Sequence, residues 1–385
     1  MDIKTPYRII KYFLLRIKAN KVLFSRKTDD KILFIDITEL HESDGKTGIQ
    51  RVTKNVLKYL YNQNEYLIKP VYALPHNAGF YYCDSNLPIR MNKNDIFFGL
   101  DLSMSLVPAN SSILKRIYKK GIPVFFFLHD LIAIRYPDTV REHNKKRFPI
   151  WLKEVIQYSG IISNSKATQD DLKLWLSETP NIVRNKNLQL NYIDLGCDFS
   201  NKNTLTQSKN SSNIKFLMVS TVEPRKNYTQ AIKAFDLLWK SNYDITLSIV
   251  GREGWNNDES IKLIKESSWL NKKLFWYNTG ISDEELQKLY QDSDALISTS
   301  LSEGFGLSLV EAAYNNLPLI IRDIPIYREV AGNNAFYFSG LSPESLSEAI
   351  IDWIKLFKSD THPKPFKNFV SWEECSKEIF KIITS

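Results

Sequence analysis

Short apolar runs alternate with amphipathic segments along most of the chain. The runs are rich in β-branched and aromatic residues, which is typical of strands buried on both faces of a sheet. Between them, apolar residues recur every three or four positions, as in helices that cover a sheet. The predicted strands are 31–37, 66–73, 95–100, 123–128, 160–163, 189–195, 215–220, 245–250, 274–277, 295–299 and 317–321. The predicted helices are 45–60, 151–158, 167–176, 228–240, 259–267, 283–290, 307–314, 345–357 and 372–383.

The alternation breaks once, over residues 201–213, where polar residues predict a linker. Strands that alternate with helices indicate a parallel sheet covered on both faces, so the predicted fold class is α/β. We expect a doubly wound, Rossmann-like domain over 31–200 and a second one over 214–365, followed by a closing helix at 366–385. The length of 385 residues agrees, because single cores stop growing near about 250–300 residues.

The net charge of +8 is concentrated at the N-terminus. Residues 1–31 hold nine basic and three acidic side chains, whereas the other 354 residues hold 42 basic and 40 acidic ones. Apolar residues recur in this segment at helical spacing, namely Ile9, Ile10, Phe13, Leu14 and Ile17. A basic amphipathic helix is typical of a membrane-surface element, so residues 1–30 are interpreted as binding an anionic membrane surface. The alternative is a helix packed on its own domain with a solvated basic face. A second basic stretch, 141–153, contains Phe148 and Trp151 and favours the membrane interpretation.

The rest of the composition excludes several classes of protein. Three cysteines far apart form neither a metal-binding spacing nor a disulfide framework, which favours a reducing compartment. The five histidines lack the spacing of zinc enzymes, and no apolar run approaches the ~20 residues that span a bilayer. No secretory signal fits the start, and no nucleic-acid recognition motif accompanies the basic charge. We expect a cytoplasmic protein, free or peripheral on the inner face of the plasma membrane, with no nucleic-acid partner.

Two glutamates eight positions apart, Glu303 and Glu311, flank a glycine turn after the strand at 295–299. The turn, Gly304-Phe305-Gly306, leads into a helix that begins at Leu307, at the strand end where ligands bind in open α/β sheets. Backbone amides there suit a diphosphate, which a carboxylate would repel. The glutamates are therefore expected to accept hydrogen bonds from neutral hydroxyls. The alternative is a glycine C-cap with an exposed pair of charges.

Two cations follow an earlier strand of the same half. Arg225 and Lys226 lie in the turn at 223–227, directly after the strand at 215–220. An arginine can chelate phosphate oxygens and a lysine acts as a point charge, so the pair suits a diphosphate. Alone, such a turn is equally typical of a solvated surface, and it gains weight only beside the glutamate motif.

Two features of the N-terminal half point to the same kind of site. His129 directly follows the strand at 123–128 and is expected to face the cleft between the two predicted domains, although a core histidine bonded to the local backbone is the alternative. Gly48 lies in a flexible loop at 45–51 that leads into a helix. This loop could wrap a phosphate or an acceptor sugar.

Together these motifs resemble those of the retaining, nucleotide-sugar-dependent glycosyltransferases of family 4, which have the GT-B fold. The two glutamates have the spacing of that family's E-x7-E signature, and VSTVEPRKN, GREGW, TGIQRV and LHDL are similar to its other motifs. The resemblance extends over the chain after residue 30. It implies an acceptor-side N-terminal domain and a nucleotide-sugar-binding C-terminal domain, facing a central cleft, in a bacterial enzyme of surface polysaccharide synthesis.

The resemblance also implies roles for individual residues. Glu303 would hold the hydroxyls of the donor sugar, and Glu311 those of the ribose. Arg225 and Lys226 would neutralise the diphosphate, and His129 would lie beside the reacting sugar. The donor-binding set is completed by Gly48, Thr221, Gly304, Phe305, Gly306 and Leu307. Thr221 marks a departure, because many family members carry Gly-Arg where this chain has Ser220-Thr221, so the phosphate clamp rests more heavily on the two cations.

No metal or cofactor is expected besides the nucleotide sugar. Many metal-dependent transferases hold a divalent ion on a DxD carboxylate pair. The DxD string of this chain, Asp292-Ser293-Asp294, is interpreted as a helix-terminal turn. Arg225, Lys226 and the helix N-terminus can supply the positive potential instead, so we expect a metal-independent enzyme. No carboxylate stands out as a covalent nucleophile, and the family's retention fits front-face attack with the leaving phosphate as proton acceptor.

The expected reaction is transfer of a hexose or deoxyhexose from a nucleotide diphosphate sugar to a glycan or lipid-linked oligosaccharide of O-antigen or capsule. Mannose from GDP-mannose is the first expectation, with rhamnose, fucose, glucose and galactose open. A nicotinamide dehydrogenase is excluded because the glycine turn lacks the third glycine of GxGxxG and lies late in the chain. A phosphorylase-like enzyme would need a pyridoxal phosphate lysine and a far longer chain. A non-catalytic sugar- or nucleotide-binding protein of the same fold remains the alternative.

Overall fold

A computed structural model describes the backbone of residues 4–45, 47–197 and 213–385, and their side chains from residue 10 onward. The described chain forms two compact units. Unit 1 takes its residues from Met1–Ile134, Glu142–Gly196 and Val370–Ser385. Unit 2 takes its residues from Arg135–Arg141 and Cys197–Phe369. The predicted linker lies outside the described residues except for Asn213.

Strands and helices alternate through both units, as the hydrophobic pattern predicts. The strands are β1 (Ile32–Asp36), β2 (Leu67–Leu74), β3 (Gly79–Tyr82), β4 (Ile96–Gly99), β5 (Val124–Leu128), β6 (Gly160–Ser163), β7 (Gln189–Tyr192), β8 (Ile214–Val219), β9 (Ile245–Val250), β10 (Leu274–Tyr277), β11 (Ala295–Ser298), β12 (Leu319–Arg322) and β13 (Phe336–Phe338). The helices are α1 (Lys4–Val22), α2 (Thr38–Glu42), α3 (Gly48–Leu60), α4 (Leu106–Ala109), α5 (Ser111–Lys119), α6 (Ile132–Arg135), α7 (Glu142–Val155), α8 (Lys166–Glu178), α9 (Tyr228–Lys240), α10 (Asp258–Lys265), α11 (Asp283–Asp292), α12 (Leu307–Tyr314), α13 (Pro325–Ala331), α14 (Pro343–Lys358) and α15 (Trp372–Thr384). Short 3-10 turns lie at Pro137–Thr139 and Pro224–Lys226.

Unit 1 is built on a seven-stranded sheet in the order β3-β2-β1-β4-β5-β6-β7. Its strands are parallel except for β3, which pairs with β2 as an antiparallel hairpin at one edge. The strands β1, β4, β5 and β6 are buried along their whole length, as expected for apolar runs covered on both faces. The strand order reverses between β1 and β4, and the carboxyl ends of these two strands form a topological switch point where ligands bind.

Unit 2 is built on a six-stranded, wholly parallel sheet in the order β10-β9-β8-β11-β12-β13. This is the strand order of a Rossmann domain, with its switch point between β8 and β11. Large aromatic side chains fill its core, among them Phe216, Phe235, Trp239 and Trp353. The α/β class and the two doubly wound domains predicted from the sequence are confirmed.

Two segments are placed differently from the predicted division of the chain. The closing helix, α15, belongs to unit 1, where the Ser376 hydroxyl donates a hydrogen bond to the Val56 carbonyl at 3.4 Å. The segment Arg135–Arg141, within the predicted N-terminal domain, belongs to unit 2. There Trp255 donates a hydrogen bond from Nε1 to the Thr139 carbonyl at 3.0 Å, and the Arg141 guanidinium lies over its ring. Neither placement follows from periodicity, because both depend on contacts between residues far apart in sequence.

The N-terminal helix packs on unit 1, with Ala19 and Leu23 buried. Its apolar residues Ile10, Phe13, Leu14 and Ile17 are nevertheless exposed, and the side chain of Ile9 lies outside the described residues. Phe148 and Trp151, the aromatic residues of the second basic stretch, were predicted to favour membrane binding. This prediction was wrong, because both side chains are buried in the core. Within the described chain, no helix has both the length and the apolar character needed to cross a bilayer.

Candidate active site

The carboxyl end of β8 leads into a tight cationic turn. Pro224–Lys226 form a 3-10 turn, and Asn227 follows with a φ of 51°. Asparagine tolerates this left-handed conformation better than most residues, which allows α9 to begin at once. Arg225 and Lys226 therefore lie at the switch point of unit 2, as the sequence predicts for the end of this strand.

The loop after β11 is hydrogen-bonded to this cationic turn. The Leu301 amide donates to the Arg225 carbonyl at 2.7 Å, and the Thr299 hydroxyl donates to the Lys226 carbonyl at 2.7 Å. The Arg225 guanidinium also donates to the Ser302 carbonyl at 3.0 Å. Since β8 and β11 are neighbours in the sheet, these bonds hold the two predicted motifs together as one site.

Glu303 forms ion pairs with both cations of the turn. Its Oε2 accepts a hydrogen bond from Nη1 of Arg225 at 2.6 Å, and its Oε1 accepts one from Nζ of Lys226. Nε of Arg225 pairs with Oε1 of Glu223 at 2.6 Å. All four side chains are largely buried. Two carboxylates therefore balance two cations in a site where an isolated buried charge would be costly.

The electrostatics of this cluster keep Glu303 ionised. Burial acts to raise the pKa of its carboxyl, but the charges of Arg225 and Lys226, with hydrogen bonds from Lys226 and Ser300, outweigh it and lower the pKa to about 2. Burial, and then the neighbouring charge of Arg225, lower the pKa of Lys226. The cluster is thus a charge-balanced network that a phosphate anion could enter by replacing one of its carboxylates.

Tyr327 on α13 contacts the end of β11 and the loop after it, which carries Glu303. Its hydroxyl lies 2.6 Å from the Ser298 hydroxyl and donates a long hydrogen bond to Oε1 of Glu303 at 3.4 Å. Its ring lies against Gly306, where a Cβ would come within 3.0 Å of Cε1 of Tyr327. Gly306 also has a φ of 101°, so this position requires glycine for both its conformation and its close packing.

The remaining predicted donor-binding residues surround this loop. Phe305 is buried, Gly304 precedes it in the turn, and Leu307 is the first residue of α12. Glu311, on the same helix, is buried and accepts a hydrogen bond from the Tyr290 hydroxyl at 2.7 Å. In this state the carboxylate therefore already accepts from a neutral hydroxyl, the kind of partner that the sequence predicts for it.

Thr221 lies between β8 and the cationic turn and is exposed. The next residue, Val222, bonds to the loop that follows β9. Its amide donates to the Arg252 carbonyl at 2.9 Å, and its carbonyl accepts from the Gly254 amide at 2.9 Å. The predicted motif GREGW thus lies beside the end of β8 and borders the same site.

Arg322 is a supporting residue that the sequence interpretation missed. It is buried at the end of β12, donates to the Thr299 carbonyl at 3.1 Å and to the Gly340 carbonyl at 2.6 Å, and pairs with Gln230. Through Thr299 it fixes the loop that carries Glu303. The only available signal was an arginine at the end of an apolar run, which does not reveal its partners.

His129 lies at the carboxyl end of β5 in unit 1 and is 3% exposed. Its Nε2 donates a long hydrogen bond to the Leu100 carbonyl at 3.4 Å, and its ring stands edge-on to Phe127. Burial lowers its pKa to about 4, so the imidazole is neutral at pH 7. This is the arrangement of a core histidine bonded to local backbone, and a role beside the reacting sugar stays a prediction.

Gly48 is the first residue of α3, directly after the helix cap. The Thr47 hydroxyl accepts from the Gln50 amide at 3.3 Å in a capping box. Among the described residues, none has an atom within 4 Å of a Cβ placed on Gly48, so these residues leave space beside it. Lys46, which precedes the cap residue Thr47, lies outside the described residues. The open space is compatible with a ligand, but a contact with donor or acceptor remains a prediction.

A cluster of carboxyl groups at the switch point of unit 1 was also missed. Asp36 ends β1 and Asp101 follows β4, and the Asp101 amide donates to the Asp36 carbonyl at 3.1 Å. Burial and the charge of Asp101 raise the pKa of Asp36 to about 7, although hydrogen bonds from Thr38 oppose them. Burial and the same charge raise the pKa of Glu39 to about 7. One feature of the sequence indicated this cluster, namely an acidic residue at or just after the end of each of two apolar runs.

The DxD string lies away from the cationic turn. The Asp294 carboxylate accepts from the Lys215 amide at 2.8 Å, near the amino end of β8, whereas Arg225 and Lys226 follow the carboxyl end of that strand. The string therefore forms the turn between α11 and β11. Among the described residues, no group of His, Cys, Asp and Glu side chains is arranged to hold a metal ion.

Comparison with known proteins shows what this chain is similar to. Residues 201–365 match the family model described as glycosyl transferases group 1. The chain is 34% identical over 382 residues to the serotype-specific mannosyltransferase WbdA of Escherichia coli, in an alignment that covers 93% of the chain and 45% of that relative. It is 27% identical over 223 residues to the O-antigen chain mannosyltransferase RfbU of Salmonella typhimurium, covering 58% of each protein.

A solved structure shares the fold. A glycosyltransferase from Rickettsia africae ESF-5 has a TM-score of 0.63 to this chain at 18% identity, over 92% of the chain and 98% of its own. At that identity the likeness shows the fold alone, which is GT-B. The chain spans about half the length of the WbdA relatives it matches.

Proposed function

We propose that the chain is a group 1 glycosyltransferase, which transfers a glycosyl residue from a nucleotide diphosphate sugar to a glycan or lipid-linked oligosaccharide with retention of configuration. The support from comparison is the match of residues 201–365 to that family model and the 34% identity to the WbdA mannosyltransferase. The observation that carries the proposal is the buried ion cluster of Arg225, Lys226 and Glu303 at the switch point of unit 2. A diphosphate leaving group needs positive charge that is in place before the reaction starts, and Arg225 and Lys226 would supply it once the donor displaces Glu303.

Glu303 acts in this proposal as an internal counter-ion that the donor displaces. Without a ligand, its carboxylate satisfies both Arg225 and Lys226. A bound diphosphate presents more negative charge to the same cations and would take over these bonds. The released carboxylate can then accept hydrogen bonds from the hydroxyls of the donor sugar. Glu303 thus has two successive partners in this proposal. It pairs with Arg225 and Lys226 in the free protein, and it binds the hydroxyls of the donor sugar once the donor is bound.

The proposed donor is GDP-mannose, and the proposed product is a polysaccharide of the O-antigen or capsule type. The support is that the relatives in the alignments carry the names serotype-specific mannosyltransferase and O-antigen chain mannosyltransferase. The chain covers only about half the length of the WbdA relatives. Mannosyl transfer is therefore proposed for this chain and is not carried over from the whole length of those proteins.

A donor screen tests the proposal. Purified chain is mixed with GDP-mannose and with the nucleotide sugars of rhamnose, fucose, glucose and galactose, and nucleoside diphosphate release is measured with a glycan acceptor. We expect release with GDP-mannose and a product whose new linkage keeps the anomeric configuration of the donor. Donor binding without any turnover would favour the non-catalytic alternative.

We further propose that the reaction needs no metal ion. The support is that cationic side chains stand at the site, whereas the DxD carboxylates lie at the other edge of the sheet. Activity should be unchanged in EDTA. Loss of activity in EDTA with recovery on adding Mn²⁺ would overturn this part of the proposal.

A lipid-linked acceptor would bring the enzyme to the inner face of the plasma membrane. We therefore propose peripheral association with an anionic membrane as the place of action of the enzyme. The basic N-terminal segment supports it, and nucleic acid is not among the partners that we propose.

A further inference from the structure

The helix α1 is apolar on two opposite sides, and only one of them is covered by unit 1. On the covered side, Ala19 and Leu23 are buried and the Leu15 carbonyl accepts a hydrogen bond from Tyr81 at 3.4 Å. The Met91 amide donates to the Leu23 carbonyl at 2.7 Å. These contacts attach the helix to the hairpin strand β3 and to the segment that leads into β4.

The second apolar side consists of Ile10, Phe13, Leu14 and Ile17, which are 50–59% exposed. We call these four residues the outer stripe. Their spacing of three and four positions places them on one line along a helix with 3.6 residues per turn. Residues two positions apart differ by about 200° in direction. Because Phe13 is two positions from Leu15 and Ile17 is two positions from Ala19, the outer stripe points away from unit 1.

The surface around the outer stripe is basic. The helix Lys4–Val22 contains no acidic residue, and Lys11, Lys18 and Lys21 are exposed beside the stripe. The end of α5 adds two more cations, because Arg116 and Lys120 both lie over the ring of Phe24, just beyond α1. The sequence interpretation did not include this contribution from α5.

The chemistry of this surface selects one occupant. A second copy of the chain would bring like charges together on this face, which disfavours self-association. A bilayer with anionic lipids offers an apolar layer for the stripe and negative headgroups for the lysines. We propose that the outer stripe of α1 inserts into the headgroup boundary of an anionic bilayer, with the helix in the plane of the membrane and the β3 edge of unit 1 toward it. This deepens the peripheral association proposed above and does not depend on which sugar is transferred.

Point substitutions test the outer stripe better than truncation, because truncation would also remove Leu23 and the buried Arg26–Asp95 pair. The full chain is mixed with vesicles of phosphatidylglycerol and phosphatidylcholine, and bound protein is measured by flotation without donor or acceptor. Phe13→Ser combined with Leu14→Ser should weaken binding by about tenfold for each apolar side chain withdrawn. Both residues are exposed, so the melting temperature should stay close to that of the wild type.

A matched control uses apolar residues that are equally exposed elsewhere on unit 1. Ile150 on α7 is 58% exposed and lies within the second basic stretch, and Leu174 on α8 is 53% exposed. The double variant Ile150→Ser with Leu174→Ser should bind vesicles as the wild type does. Equal losses in both double variants, or wild-type binding by the α1 variant, would overturn the proposal.

The lysines provide the second arm of the test. Lys11→Gln, Lys18→Gln and Lys21→Gln together should weaken binding to the anionic vesicles by about fivefold per lysine, and vesicles of phosphatidylcholine alone should bind poorly. Equal binding to both kinds of vesicle would contradict the role of charge, and a dimer that the serine variant dissolves would assign the stripe to a second copy. Donor binding without vesicles should be unchanged in every variant, so failure here is distinguishable from failure of the proposed glycosyl transfer.

Discussion

Replacing Glu303 by glutamine removes the anion that Lys226 shares with Arg225. The Glu303 carboxyl has a pKa of about 2 in the folded protein, against an ordinary value of 4.5. At 1.36 kcal/mol for each pKa unit, this difference corresponds to roughly 3 kcal/mol of folding stability. Because the folded pKa is the lower one, this stability is present above pH 4.5 and is lost as the pH falls toward 2. At neutral pH the variant should lose about 3 kcal/mol in the free energy of unfolding.

The affinity for a nucleoside diphosphate and the turnover of the nucleotide sugar should respond to this substitution in different ways. A nucleoside diphosphate no longer has to displace Glu303 from Arg225 and Lys226, so its Kd should stay the same or fall. Turnover should fall at least ~100-fold, because the variant lacks the carboxylate that we propose accepts hydrogen bonds from the donor sugar in the transition state. Calorimetry with the nucleoside diphosphate and steady-state release of it from the nucleotide sugar measure the two quantities.

Glu259→Gln is the matched control. Glu259 pairs with Lys233 at 2.7 Å, but both side chains are widely exposed, and such pairs contribute about 0–1 kcal/mol. Urea unfolding at pH 7 should therefore separate the two variants clearly. The reasoning is refuted if Glu303→Gln unfolds like the control, or if it binds nucleoside diphosphate far more weakly than the wild type.

Three other substitutions, with Gly48→Ala as a control for one of them, test the residues around the two switch points. The pKa of Asp36 is about 7 in the folded protein, against an ordinary value of 3.8. Because the folded pKa is the higher one, the free energy of unfolding should fall as the pH rises from 3.8 to about 7, by up to about 4 kcal/mol. Asp36→Asn should remove that part of the fall in urea-unfolding free energy, and parallel profiles for wild type and variant would contradict it. Gly306→Ala should lower the free energy of unfolding by about 1–3 kcal/mol and weaken donor binding in a titration, because φ is 101° and Tyr327 is close. Gly48→Ala should change the free energy of unfolding little, because the described residues leave space around Gly48. Tyr327→Phe should lower kcat by about tenfold through loss of the hydroxyl near Glu303, and an unchanged kcat in steady-state assays would remove Tyr327 from the support of that loop.

Periodicity and turn residues were sufficient to predict the two doubly wound domains and the proximity of two motifs in unit 2. A strand end followed by Arg225 and Lys226, and another followed by a glycine turn with Glu303, place both motifs at carboxyl edges of one sheet. Adjacent strands then bring them together, which the order β8-β11 confirms. The residues that follow each strand could therefore be assigned to one end of the sheet without knowledge of any side-chain contact.

The pairing of side chains could not be predicted in the same way. Glu303 is 78 residues from Arg225, and nothing in the pattern distinguishes a carboxylate that waits for sugar hydroxyls from one that pairs with a cation. Tyr327 and Arg322 were missed for the same reason, because their role depends on contacts made across the sheet. Phe148 and Trp151 show the opposite limit, since aromatic residues among basic ones suit a membrane surface and a core equally well.

The most direct test of the account is the transfer reaction itself, run in EDTA with GDP-mannose and a glycan acceptor, for the wild type and for Lys226→Ala. Lys226 pairs with Glu303 and is one of the two cations proposed to bind the diphosphate, and we expect its removal to leave the fold intact. The account predicts mannosylated product and stoichiometric GDP release for the wild type, with a rate at least ~100-fold lower for the variant. Equal rates for the two proteins would contradict the assignment of the cationic turn. No product from any nucleotide sugar, with a folded protein and a competent acceptor, would contradict the glycosyltransferase function.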